Sequence, residues 1–305
     1  MIPKDVDSPV AHGGSALLER CRAPAKINLW LEVIRRRGDG YHELSSLMVP
    51  LQLCDDLKVQ RQEDGGGISI ECDEPGVPLD EKNLCWKAAR SFLQKTGLEW
   101  GVHIALKKRI PHGAGLGGGS SDAAATLLAL NRLARSPLQV QDLHDLARSL
   151  GADVPFFLYG RPALATGIGD RLEPVGPLPP YRFVLIKPPF GVATGRVYES
   201  LTLTRGESRI RVPVFLARPW DLELWLQNDL ETVTENDFPI IRQLKQWLMS
   251  QGARGALMSG SGSTVFGVFE GDSTAAKAVE SARKIWTDCW IAASGVYDSG
   301  PQQHS

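Results

Sequence analysis

Five glycines fall in the stretch Gly113-Ala114-Gly115-Leu116-Gly117-Gly118-Gly119, and Ser120 and Ser121 follow directly. A plain turn needs one or two glycines. Five imply a backbone that takes positive φ repeatedly or comes very close to something else. The alanine- and leucine-rich run after Asp122 favours a helix, so the loop feeds a helix N-terminus. Unpaired N–H groups and the positive end of the helix dipole suit an anion such as phosphate there. The spacing is not the Gly-x-Gly-x-x-Gly of a dinucleotide fold, and Gly119 runs into Ser120 without the lysine of a Walker A loop. On the glycines alone two readings stand, a phosphate cradle spanning Pro111 and His112 to Ser121, and a flexible hairpin. Ser120 and Ser121 offer hydroxyls to an anion or cap the helix. Asp122 favours the dipole but repels phosphate. It is read as a cap, with Mg²⁺ held through water as the alternative.

Three other places carry chemistry-bearing side chains. Lys26 and Asn28 share one face of an expected strand, Ala25 to Ile34, with Ile27, Leu29, Leu31 and Val33 on the other face. By pattern alone such a lysine is simply solvated. Asp153 precedes Val154-Pro155, a position that suits a helix cap. Tyr41 and His42 follow the turn Gly38-Asp39-Gly40 and read as a half-buried aromatic and a surface histidine. Near the end, Ser259-Gly260-Ser261-Gly262-Ser263 leads as a turn into the strand Thr264 to Phe269.

The elements that must position these groups alternate in type. Strands are expected at Leu44 to Leu53, Asp56 to Gln60 and Val102 to Lys108. Helices are expected at Asn83 to Thr96, stopped by Gly97, at Ser121 to Arg135, and at Leu143 to Leu150. Proline-rich Pro174 to Pro180 reads as the domain boundary. Beyond it, a strand at Arg182 to Ile186, helices at Asp221 to Leu226, Ile240 to Ser250 and Ser273 to Trp286, and strands at Thr264 to Phe269 and Trp290 to Val296 suggest helices on one face of a small sheet. The division expected is a mobile leader at 1–20, an N-terminal domain at 21–172, a C-terminal domain at 173–298 and a loose tail at 299–305. Leu203 to Pro219 inserts polar and proline residues without a motif.

Composition narrows the class. The chain has 305 residues, 43% hydrophobic and 23% charged, with a formal net charge of −1. That suits a folded two-domain protein and lacks the basic excess of nucleic-acid binders. The basic runs Arg35-Arg36-Arg37 and Lys107-Lys108-Arg109 read as solvated strand ends, the second with a possible pull on phosphate. Five cysteines without a Cys-x-x-Cys pair argue against a disulfide framework or zinc site and fit a reducing compartment. The acidic, non-apolar first twenty residues predict neither a secretory signal nor a transit peptide. No segment approaches the ~20 apolar residues of a membrane span. A cytoplasmic protein, monomeric or weakly dimeric, is expected.

Taken in order, Lys26-x-Asn28, Gly40-Tyr41-His42, Pro111 to Asp122, Leu150-Gly151-Ala152-Asp153-Val154-Pro155-Phe156, Asn228-Asp229-Leu230-Glu231 and Ser259 to Phe266 make the chain resemble the GHMP kinases, from about Arg22 to about Val296. Among them it is most similar to the members that phosphorylate a cytidine-diphosphate-linked methylerythritol for isoprenoid synthesis. The resemblance implies an α+β fold of two domains, one like domain 2 of ribosomal protein S5 and one ferredoxin-like, with the active site in the cleft between them. It implies ATP with Mg²⁺ as donor and a small-molecule acceptor, phosphorylated at its 2-hydroxyl. It makes Lys26 and Asp153 catalytic, the first stabilising charge on the phosphoryl group and the second accepting the hydroxyl proton. It places Pro111, His112, Gly113, Ala114, Gly115, Leu116, Gly117, Gly118, Gly119, Ser120 and Ser121 at the ATP phosphates. The acceptor falls to Asn28, Tyr41, His42, Asp153, Thr194, Tyr198 and Gly260, with Tyr41 as a stacking platform, His42 at the base edge and Tyr198 closing the stack from the other domain. Asn228-Asp229 is read as structural.

Overall fold

The computed structural model describes residues 18–63, 66–176, 178–202 and 221–297. The expected tail, most of the leader and the Leu203 to Pro219 stretch lie outside these residues. Two sheets carry the fold. The first is built on β1 (Leu18–Arg36) and β2 (His42–Gln62), with β3 (Ile68–Cys72), β4 (Gly101–Lys107), β5 (Ala163–Gly167) and β6 (Arg171–Pro174). Its order is β3-β4-β2-β1-β8, with β5 on β2 and β6 on β5. The short β8 (Gln227–Asn228) comes from the C-terminal half and pairs in parallel with Trp30 and Leu31.

β2 is one strand where the sequence suggested two. It pairs with β1 along one edge. On the other it meets β5 at Leu44 to Met48 and β4 at Asp56 to Gln62. Different partners at its two ends let one strand serve both halves of the sheet.

β1 corrects a second expectation. Its register slips between Asn28 and Trp30, where β2 advances only from Met48 to Leu47. Such a bulge reverses the alternation of side chains. Ile27, Leu29 and Trp30 therefore join the core against the second sheet, while Leu31 and Val33 pack with Val197 and Leu230 on the other side. Residues 23–33 are buried on both faces, so Lys26 is not the solvated strand lysine that alternation alone implies.

Helices α1 (Leu84–Thr96), α2 (Gly118–Leu133), α3 (Val140–Leu150) and α4 (Val154–Tyr159) cover the outer face of this sheet. Their core includes Phe92, Ala123, Leu127 and Phe156 with Val59 and Ile104. α1 has the ends expected of it: Asn83 accepts the Cys85 N–H at 2.9 Å, and Gly97 closes it at φ 69°.

The second sheet runs β11-β7-β10-β9, antiparallel throughout, from β7 (Arg182–Lys187), β9 (Gly255–Met258), β10 (Val265–Phe269) and β11 (Trp290–Gly295). Between β7 and β9 lie α5 (Thr194–Ser200), α6 (Leu222–Trp225), α7 (Glu231–Asp237) and α8 (Ile240–Ser250), and α9 (Asp272–Ile285) joins β10 to β11. This is the ferredoxin-like order. Leu244 and Leu248 of α8 and Ala278 of α9 pack on one face against Val184, Ile186 and Val265. The other face turns Phe183, Leu185, Phe266 and Val268 onto Ile27, Leu29, Val49 and Leu51 of the first sheet. The two domains thus share a core, and the site lies along its edge.

Candidate active site

Between the domains runs a cleft of ≈ 710 Å³, a volume suited to small-molecule ligands. Its wall includes Lys26, Asn28, Tyr41, His42, Asp153, Thr194, Tyr198, Gly260 and the loop from Pro111 to Ser120. The structure therefore gathers nearly every residue expected at the site. Ser121 is the exception. It is 1% exposed, does not line the cleft, and leaves its hydroxyl buried without a partner.

The loop is built as its glycines imply. Gly113, Gly115 and Gly117 have φ of 62°, 74° and 72°. Two of them are also places of close approach. A Cβ on Gly115 would lie 2.2 Å from the Ser259 carbonyl oxygen, and one on Gly117 would lie 2.7 Å from the Phe157 ring and 3.1 Å from Lys26 Cγ. Backbone bonds stitch the loop to both domains: Lys26 N–H donates to Leu116 O at 2.9 Å, and Thr264 N–H donates to Ala114 O at 3.2 Å. Ser259 Oγ donates to Gly115 O at 3.0 Å.

α2 begins at Gly118 with Gly117 as its N-cap, and no side chain caps it. This corrects the capping roles expected of Ser120, Ser121 and Asp122. The helix starts three residues earlier than its alanine run suggests, because glycines in this loop already take helical backbone. Its first N–H groups lack intrahelical partners and lie along the cleft wall formed by Gly117 to Ser120, as an anion cradle requires.

Asp122 lies in the second turn instead. Its Oδ2 meets Lys108 Nζ at 2.6 Å, and Lys108 also pairs with Asp55. Lys108 is therefore a buried ion-pair residue, not part of a solvated basic run. Burial pushes the Asp122 carboxyl up to about 7; Lys108 opposes the rise and Asp55 adds to it.

At the centre of the cleft stand Lys26 and Asp153. Lys26 Nζ donates to Asn28 Oδ1 at 2.7 Å and lies 3.5 Å from Asp153 Oδ2. Asn28 Nδ2 donates to Ser46 Oγ at 2.8 Å, and Ser46 donates to Trp30 O at 2.7 Å. The bulge sets this arrangement, since it keeps Lys26, Asn28 and Leu31 along one wall. Asp153 precedes α4 but makes no side-chain cap bond. Its side chain is 31% exposed against 5% for Lys26, so the carboxylate is open to an incoming group while the cation is held.

The far end of the cleft is aromatic. The His42 ring stacks on Tyr198 from the other domain, centroids 5.0 Å apart and planes 29° apart. Burial holds the His42 ring below its ordinary pKa, with Arg36 adding to the effect. Burial, and secondarily the charge of Asp153, holds the Tyr198 hydroxyl well above its own. Tyr41 is 58% exposed at the rim.

The second domain contributes its glycine-serine turn. Thr194 Oγ1 and Ser261 Oγ are 2.8 Å apart. Asn228 Nδ2 donates to Met258 O at 2.8 Å and Gly260 O at 2.7 Å, holding the turn in place. Ser46, Asp55, Lys82 and Asn83 escaped the sequence reading. Asn83 and Lys82 line the cleft from the entry to α1. A helix start facing the loop is their only sequence signal, and Ser46 and Asp55 carry none.

Comparison with known proteins places these features in a family. The GHMP kinase N-terminal domain matches residues 83–161, and the GHMP kinase C-terminal domain matches residues 217–288. The chain is 47% identical over 271 residues to a 4-diphosphocytidyl-2-C-methyl-D-erythritol kinase of Syntrophotalea carbinolica, covering 88% of this chain and 96% of the relative. It is 44% identical over 273 residues to the enzyme of the same name from Geotalea daltonii, covering 90% and 97%. A crystal structure of 4-(cytidine 5'-diphospho)-2C-methyl-D-erythritol kinase superposes with a TM-score of 0.76 at 41% identity, covering 91% of this chain and 99% of that one. A homoserine kinase from Cytophaga hutchinsonii, at 20% identity and a TM-score of 0.66, shares the fold.

Proposed function

The chain belongs to the GHMP kinase family, and on that premise we infer that it transfers the γ-phosphoryl group of ATP to the 2-hydroxyl of 4-diphosphocytidyl-2-C-methyl-D-erythritol. The observation that carries this reading is one cleft with a glycine cradle at one end, a stacked aromatic pair at the other, and Lys26 and Asp153 between them. A donor with phosphates and an acceptor with a base and a hydroxyl each find their own part of it.

In this reading the ATP phosphates lie along Pro111 to Ser120 at the N-terminus of α2. The acceptor's cytosine lies against the His42–Tyr198 end, with Tyr41 at the rim and Thr194 and Gly260 on the wall of the other domain. Its hydroxyl points to Asp153, which accepts the proton as the new P–O bond forms. Lys26, fixed by Asn28, stabilises charge on the transferring phosphoryl group. A carboxylate is a weak base, so positioning supplies much of the effect. We assign Mg²⁺ to the nucleotide, where it would be held mainly by phosphates and water. Its contribution there is to neutralise phosphate charge.

Both walls of the cleft come from one chain, which suits a monomer or weak homodimer. No described helix is long and apolar enough to cross a membrane, and the five cysteines are unpaired. We place the enzyme in the cytoplasm.

The test is ADP release with ATP and Mg²⁺ and three separate acceptors. Turnover with 4-diphosphocytidyl-2-C-methyl-D-erythritol, and little with homoserine or mevalonate, is expected. Preference for homoserine or mevalonate overturns the acceptor assignment, and release with none of them overturns the kinase reading.

A further inference from the structure

Asp55 lies on β2, fully buried and outside the cleft wall, yet it holds the start of the phosphate loop. Its Oδ1 accepts the N–H of Arg109 at 2.5 Å and of Ile110 at 2.8 Å, the residues that lead into Pro111. Its Oδ2 accepts Lys108 Nζ, and the same ammonium reaches Asp122 Oδ2 in α2 at 2.6 Å. Lys108 Nζ lies beside Gly118, 3.4 Å from where a Cβ would stand. One buried cation between two buried carboxylates thus joins the entering limb of the loop to the helix that leaves it.

Burying a cation with two carboxyl groups is a poor way to gain stability, since desolvation offsets much of the attraction. Buried ion pairs are better at fixing one arrangement. A loop with five glycines needs such fixing, because nothing in its own sequence selects one conformation.

We propose that Asp55 is a positioning residue for the phosphoryl donor, acting through Lys108 and Asp122 to set the spacing between the two limbs of the glycine loop. The inference rests on the donor-site reading above. It assigns the cleft wall, which Lys108 and Asp122 line, a task of its own: holding the cradle in shape before the nucleotide arrives.

Asp55→Asn keeps the shape and an oxygen for the two N–H groups but turns a donor towards Lys108. Lys108→Met removes the cation, and Asp122→Asn cuts the latch from the helix side. Titration calorimetry with a non-hydrolysable ATP analogue and Mg²⁺ reads binding without turnover, and steady-state kinetics reads KM for each substrate. We expect each variant to raise the analogue's Kd and the KM for ATP about tenfold, with the KM for the acceptor near its wild-type value. A merely structural role lowers Tm or the active fraction and leaves both nucleotide constants in place. Asp122→Asn and Lys108→Met keep the test open if Asp55→Asn fails to fold. Folded variants that bind the analogue as the wild type does overturn the inference. A wild type that binds no nucleotide overturns the donor-site reading itself.

Discussion

Lys26 shows how much of a residue's role is set by where its strand bends. The ammonium is held by Asn28 at 2.7 Å and stands 3.5 Å from Asp153. It is nearly buried, while its carboxylate partner Asp153 is still partly open. A cation in that position is preorganised for charge that develops on a phosphoryl group. Lys26→Met should therefore lower kcat by about 10²- to 10³-fold while the Kd for a non-hydrolysable ATP analogue moves little. A loss confined to nucleotide affinity would move Lys26 from chemistry to binding. The residue types at the centre were legible in sequence as a family pattern. Their burial was not, because strict alternation puts Lys26 on a solvated face. The bulge and the second sheet decide otherwise, and neither leaves a mark in a ten-residue window.

The glycine loop and its helix act as one element. Gly115 has φ 74° and faces the Ser259 carbonyl so closely that a Cβ would stand 2.2 Å away. Gly115→Ala must open the contact between the loop and the second domain or distort the loop itself. It should cost roughly 1–3 kcal/mol in stability and weaken nucleotide binding. Gly271→Ala is the control, since the nearest atom is 3.9 Å away and the backbone there is extended. Thermal unfolding of both, with and without ATP analogue, checks the difference; equal effects would show that the close approach carries no weight. The glycines were readable because only positive φ and close approach explain so many. The cap was not. Ser120, Ser121 and Asp122 are all good N-cap types, and the choice of Gly117 depends on Phe157 and Lys26, which pack where its side chain would be. Lys108 was likewise hidden. A basic run beside a loop reads as solvated until Asp55, over fifty residues away, is found against it.

For the whole molecule, the shared core matters most. Phe183, Leu185 and Phe266 belong to the second sheet but bury against Ile27, Leu29 and Leu51 of the first. Two domains joined this way should unfold together. Phe266→Ala should cost about 3–5 kcal/mol and keep a single transition in urea, with the fluorescence and far-UV signals coincident. Two separated transitions would mean that each sheet keeps its own core. The longer helices and several strands were legible from periodicity and turns and the two-domain plan from the family resemblance, while the short β3, β5, β6 and β9 were not read. The sharing of the core was not, because Val and Leu runs say that a strand face is buried without saying against what. β8 shows the same limit: two residues from the C-terminal half complete the first sheet, too short a strand for any pattern.

In the proposed reaction Asp153 receives the acceptor's proton in a cleft that binds ATP independently of it. Phosphorus NMR of the wild type and of Asp153→Asn, each with ATP, Mg²⁺ and 4-diphosphocytidyl-2-C-methyl-D-erythritol, tests this most directly when paired with the Kd for an ATP analogue. The wild type should build a new phosphomonoester signal as ADP appears. The variant should do so at least about 100-fold more slowly, with an unchanged Kd. A variant that phosphorylates the acceptor at close to the wild-type rate would contradict the account.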